Sequence, residues 1–151
     1  HAELRRHLFP GDGCEAVAVA ICGRRSGADK HILTVRKIKL IPYEECSERT
    51  PVRVTWSTES LIPLLEEASK TGEAILKIHS HPGWYPKFSE TDDIADSELF
   101  QSVYGWTDDD APHASCVMLP DGKMFGRIIE PDGNFEPLTT IAVAGDEINF
   151  W

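Results

Sequence analysis

Residues 79–92 read "HSHPGWYPKFSETD". They follow an apolar run, "EAILKI" (73–78), that has strand character and delivers two histidines at its end. In a strand, positions i and i+2 point the same way, so His79 and His81 present two imidazoles side by side. A divalent metal needs this geometry from its first two ligands. Two histidines separately satisfied by backbone hydrogen bonds give the same H-x-H. At the far end, "SETD" (89–92) matches the S-x-x-[DE] capping box, with Ser89 capping a helix and Asp92 reaching back to it. A helix start also holds a carboxylate rigidly, so Asp92 is a candidate third ligand, and the two uses call for different rotamers. Should Asp92 only cap, Asp93 or Asp96 is the substitute.

Outward from this stretch, strands and helices intermix. "AELRRHLF" (2–9) reads as a short amphipathic helix ended by the turn "PGDG" (10–13). "CEAVAVAIC" (14–22) reads as a strand with unlike faces: Cys14, Ala16, Ala18, Ala20 and Cys22 are small, while Glu15, Val17, Val19 and Ile21 share the other side. "HILTVRKIKLIP" (31–42) is a second strand, "EECSERTP" (44–51) a polar loop and "RVTW" (53–56) a short third strand. "STESLIPLLEEASKTG" (57–72) is a helix capped by Ser57 or Thr58, striped by Leu61, Leu64, Leu65 and Ala68, and ended by Gly72. Pro63 fits in its first turn, where the missing N–H has no partner to lose. After the strand "EAILKIHSH" come the helix "SETDDIADSELFQSVY" (89–104) and the acidic loop "GWTDDDAPH" (105–113). "ASCVMLPDGKMFGRII" (114–129) closes the readable part as a hairpin with "PDGK" at its tip. The predicted architecture is an α/β (α+β) sandwich of a mostly antiparallel sheet with flanking helices.

A chain of 151 residues, 41% of them hydrophobic, supports one core and is too short for two ordinary domains, so residues 1–151 are expected to form a single domain. The net charge of −10 argues against duplex nucleic acid as a partner, which requires a basic stripe. No apolar run approaches the roughly 20 residues that cross a bilayer. No secretory leader pattern is present either, which points to the cytoplasm. Cys14, Cys22, Cys46 and Cys116 form no C-x-x-C pair and read as reduced, mostly buried thiols. Both ends read as cut: His1 stands where Met would begin a chain, and "AGDEINFW" (144–151) stops on two aromatics.

Spacing separates the readings of the opening stretch. His79-Ser-His81, seven residues, then Ser89-Glu-Thr-Asp92 resembles the signature of the JAMM (MPN-plus) metalloproteases without departure. The order around it is similar too: an acidic residue in an early strand, a helix, then the H-x-H strand running into the Ser-Asp helix. "HSHPGWYP" and the compact length resemble the prokaryotic branch of the family. The start "HLFPGDGCEAVAVAICG" (7–23) and the end "VAGDEINFW" (143–151) resemble domains fused to, or encoded beside, a ThiF-like activating adenylyltransferase. A metallo-β-lactamase would want H-x-H-x-D-H, and here Gly83 sits where that aspartate belongs. An amidohydrolase barrel would need about 250 residues.

The resemblance implies an MPN/JAB-like fold and one catalytic zinc held by His79, His81 and Asp92, the usual three-ligand set with an open fourth position. It assigns the general base to Glu15, whose place beside Val17, Val19 and Ile21 turns it inward, where an unpaired carboxylate is costly. Asp12 is the substitute if the register differs, and a glutamate at a frayed strand start is the plain alternative. Ser89 is implied to donate a hydrogen bond to the tetrahedral oxyanion, a contribution typically worth about 100- to 1,000-fold in rate. Trp84 and Tyr85, in a loop stiffened by Pro82 and Pro86, are expected to grip an extended substrate tail, with Phe88 anchoring the loop. The implied activity is cleavage of an amide or isopeptide after the C-terminal glycine of a ubiquitin-like protein, in a bacterial conjugation pathway of the kind that includes antiviral systems. A metal hydrolase of a small amide, and an inactive MPN scaffold that only binds partners, are the competing expectations.

Overall fold

The alternation in residues 15–22 organises the structure. The computed structural model describes residues 1–27, 30–144 and 148–151; residues 145–147 of the closing stretch therefore lie outside the described residues. Strand β1 (Val17–Ser26) is flanked by β2 (His31–Leu40) and β5 (Ala74–Ser80), and a six-stranded sheet runs β2-β1-β5-β6-β7-β8. Here β6 is His113–Met118, β7 is Met124–Ile129 and β8 is Phe135–Pro137. All neighbours are antiparallel except β5 and β6. That parallel step requires a crossover, and helix α3 (Glu90–Thr107) supplies it. The expected mixed architecture with a mostly antiparallel sheet is therefore present.

The two faces of β1 bury different things. Ala16, Ala18, Ala20 and Cys22 join Ala74, Leu76, Ile78, Ala114 and Cys116 in a core of small side chains, covered by Leu4 and Leu8 of α1 (Ala2–Leu8) and by Leu138, Ile141 and Trp151. Val17, Val19 and Ile21 pack with Ile75 against Leu64, Leu65 and Ala68 of α2 (Ile62–Thr71) and Leu99, Phe100 and Val103 of α3. Small residues let the short α1 sit close to the sheet, whereas the longer helices fill the bulkier side. Helix α2 starts after a 3-10 turn (Thr58–Leu61) that Ser57 caps, and ends at Gly72, which takes the left-handed conformation at φ 67°.

Three readings shift. Strand β1 begins at Val17 and runs to Ser26, later than residues 14–22, because it pairs with the whole of β2. The polar loop at 44–51 contains a strand, β3 (Cys46–Thr50), paired with β4 (Arg53–Trp56) in a separate hairpin. Its side chains are half-buried or exposed, so no apolar alternation advertised it. After the 114–129 hairpin the chain adds β8, then β9 (Ala142–Ala144) and β10 (Ile148–Phe150), each three residues long and too short for periodicity to register. All four cysteines are free, two buried and two half-buried. No helix among the described residues is long and apolar enough to cross a membrane.

Candidate metal centre

The register of β1 on β5 pairs Val17 with His79, so its continuation sets Ala16 opposite Ser80 and Glu15 opposite His81. Directly opposed residues share a face. Glu15 and both histidines therefore lie on the α2/α3 side. The ladder stays closed past the end of β1. Ala16 N–H donates to Ser80 Oγ at 2.9 Å, and Ser80 N–H donates to the Ala16 carbonyl at 3.1 Å. Glu15 N–H donates to the Thr50 carbonyl at 2.8 Å, and the Glu15 carbonyl accepts from Arg49 Nε at 2.9 Å. Arg49 is itself fixed over the Tyr43 ring and against Asp12. Glu15 is thus held on both sides and only 5% exposed, not a frayed end. Asp12 is spent on Arg49 and on the Cys14 N–H, outside the cluster.

His79 Nε2, His81 Nε2 and the Asp92 carboxylate converge. The two imidazole nitrogens are 3.1 Å apart, His79 Nε2 is 2.9 Å from Asp92 Oδ1, and His81 Nε2 is 3.3 Å from Asp92 Oδ2. Glu15 Oε1 stands 4.0 Å from His81 Nε2. Asp92 also closes the capping box: its Oδ2 accepts from Ser89 N–H at 2.7 Å and from Ser89 Oγ at 2.8 Å. The two readings of Asp92 are compatible after all, because a single rotamer turns Oδ1 to His79 while Oδ2 caps the helix. The Ser89 hydroxyl proton is engaged by Asp92 in this arrangement.

These residues fit a divalent cation. The carbonyl of Tyr85 lies 2.8 Å from His81 Nδ1 and can only accept, so Nδ1 carries the proton and Nε2 turns its lone pair to the cluster. His79 Nδ1 is buried without a hydrogen-bond partner among the described residues, which favours the proton on Nε2, facing Asp92. Three electron-pair donors so close together need either that proton or a cation between them, and metal binding displaces protons of this kind. Burial lowers His79 to about 4, so it is neutral at physiological pH, and ligation through Nε2 requires its one proton to move to Nδ1. Burial alone would lower His81, but its contacts with Asp92, the Tyr85 carbonyl and Glu15 carry it above its ordinary value. Burial opposes ionisation of Asp92, yet hydrogen bonds with both histidines and with Ser89 hold it far below the usual carboxylate range. Burial, with a smaller push from Asp92, raises Glu15 to about 7, against the pull of His81 and Lys77. A carboxylate with that pKa is suited to taking and returning a proton near neutrality.

A cleft of about 550 Å³ opens onto Glu15, His79 and Asp92. Its walls are β4, through Arg53 and Trp56, and α3, through Ile94 and Glu98. Trp84 and Tyr85 do not line it. They stand exposed outside it, with the Tyr85 ring 6.0 Å from that of His81. Trp84 sits in the left-handed region at φ 61°, where a side chain other than glycine or asparagine is uncommon, and its N–H closes a turn onto the His81 carbonyl. Phe88 is half-buried, with Arg127 stacked on its ring at 3.8 Å and Phe125 at its edge.

Sequence reasoning passed over the cleft walls, Arg49, Ser80 and Lys77. Lys77 had a signal: two residues before His79 in an otherwise apolar strand, it must share the histidine's face. The contacts of Arg49 with Glu15 and of Ser80 with Ala16 span 34 and 64 positions and leave no local pattern.

A model of the prokaryotic homologs of the JAB domain matches residues 1–127. No curated protein matches the chain.

Proposed function

The chain belongs to the prokaryotic homologs of the JAB domain, and from that premise we propose that it is a zinc-dependent isopeptidase or peptidase cutting after the C-terminal glycine of a ubiquitin-like protein. The observation that carries the proposal is the convergence of His79, His81 and Asp92 beside Glu15, at the head of an open cleft. His79, His81 and Asp92 would hold the ion. When bound, zinc supplies Lewis acidity for the scissile carbonyl and for an attacking water.

This chain's own residues do the rest. Glu15 accepts the proton of the attacking water as its oxygen bonds to the carbonyl carbon, then passes that proton to the amide nitrogen as the C–N bond breaks. The closed ladder at Ala16–Ser80 and the Arg49 contact keep Glu15 at its post opposite His81. Ser89 swings its hydroxyl proton from Asp92 to the developing oxyanion. The cleft between β4 and α3 receives the acyl side of the substrate as an extended tail. Trp84 and Tyr85, exposed outside the cleft and next to His81, meet the leaving-group side.

The same reading makes the domain the processing or deconjugating partner of a ThiF-like activating enzyme, in one chain or encoded beside it, within a bacterial ubiquitin-like pathway. The test is incubation of the zinc-loaded protein with a panel of ubiquitin-like fusions, with and without chelator. Cleavage after the terminal glycine, abolished by chelator and by Glu15→Gln, is expected. Hydrolysis of small amides alone would transfer the reading to a small-molecule metal hydrolase, and metal binding without any turnover to a scaffold.

A further inference from the structure

Beside the candidate ligands lies a second set of charges, of which Lys77, Asp96 and Arg127 are buried and Asp93 is half-exposed. Lys77 and His79 share one face of β5, and Lys77 lines the cleft beside Glu15 and Asp92. Its Nζ donates to Asp96 Oδ1 at 2.6 Å, with the two side chains 3% and 0% exposed. Asp96 Oδ2 accepts from Arg127 Nε at 3.1 Å and Nη2 at 2.7 Å, and Arg127 Nη1 reaches Asp93. The guanidinium lies between the rings of Phe88 and Phe135, at 3.8 and 3.9 Å. Asp96 is one helical turn beyond Asp92, and Phe88 immediately precedes the cap Ser89. The contacts therefore join β5, which carries His79 and leads directly into His81, to the first two turns of α3, which carry Asp92, and to β7.

Packing alone does not require this composition, since apolar side chains of similar volume often serve a core as well or better. A buried ammonium on the floor of a cation site works against the cation, and in a low-dielectric surrounding that repulsion is strong. Asp96 cancels it. The four side chains carry two positive and two negative charges, and the sum is zero. We infer that Lys77, Asp96, Arg127 and Asp93 form a charge-balanced positioning unit for the metal centre, whose net charge sets how tightly a divalent cation is held. This rests on His79, His81 and Asp92 being the metal ligands.

The test uses zinc affinity by chelator competition, the visible spectrum of the cobalt(II) form, and the melting temperature of each metal-free protein. Asp96→Asn keeps volume and leaves the unit at +1; it is expected to weaken zinc and cobalt binding by about 10- to 100-fold and to alter the cobalt bands. Lys77→Met, at −1, should bind more tightly than wild type. The double variant Lys77→Met, Asp96→Asn is neutral again and should recover wild-type affinity and spectrum, although two charged contacts are gone. A purely structural network predicts the opposite order, with the double variant weakest, and that result overturns the inference. If Asp96→Asn does not fold, Lys77→Met against the double variant decides: tighter binding by the single variant supports charge balance, and equal affinities overturn it. Wild-type protein that binds neither ion removes the ligand assignment, and the inference with it.

Discussion

His79 and His113 sit on adjacent strands of one sheet, both are fully buried, and burial lowers both to about 4. Their surroundings differ in one respect. His113 Nδ1 accepts the Ile75 N–H at 2.9 Å, its ring packs against Phe100 and Tyr104, and Arg24, paired with Asp109, stands 3.2 Å away; among the described residues His113 belongs to no group of converging metal-ligating side chains. His79 meets His81 and Asp92 within 3.1 Å. Burial and a depressed pKa are therefore common to both histidines, and of the two only His79 belongs to a group of converging donors that could hold a metal ion.

The comparison breaks most sharply on metal content. His79→Ala should lose nearly all bound zinc, because three ligands leave none to spare, while His113→Gln keeps a full equivalent. Elemental analysis of the purified variants decides it; equal zinc in both would erase the distinction. Next in size, Glu15→Gln should retain zinc and fold but lose turnover by at least about 1,000-fold, since the amide cannot accept a proton. Near-normal turnover with zinc bound would remove Glu15 from the chemistry.

A smaller effect separates the histidines by pH. Native His113 stays neutral down to about 4, whereas its unfolded-state value is near 6.5. Between those values the unfolded chain binds a proton that the native chain does not, so stability falls as pH drops through this window and levels below it. The loss from this residue is about 3 kcal/mol, read as the difference in pH slope between metal-free wild type and His113→Gln in urea unfolding. Parallel slopes would contradict it. Smallest are the loop effects. Phe88→Ala should cost about 2 kcal/mol, less than a core phenylalanine, because the ring is half-buried and its main partner is Arg127. Trp84→Ala with Tyr85→Ala should lower kcat/KM on a protein substrate with zinc retained; an unchanged value would leave the loop as a strut for Ser89.

What was legible follows the range of the interactions. His79, His81, Ser89 and Asp92 are set by a strand period and a helix cap, both local, so fourteen residues carried them. Glu15 was readable through alternation with Val17, Val19 and Ile21, though its clamp by Arg49 was not. The cleft wall at β4 was hidden because β3 is polar and half-buried or exposed, and its pairing depends on neighbours distant in the chain. Asp96, offered as a substitute ligand, is instead the partner of Lys77 and Arg127, a choice that only the packing of α3 on β5 reveals.

The most direct test of the central claim is anomalous diffraction at the zinc edge from crystals of the zinc-loaded protein. One strong peak is expected, bounded by His79 Nε2, His81 Nε2 and the Asp92 carboxylate, with Glu15 beside it. A peak elsewhere, or none there while Asp92 still caps the helix at Ser89, would contradict it.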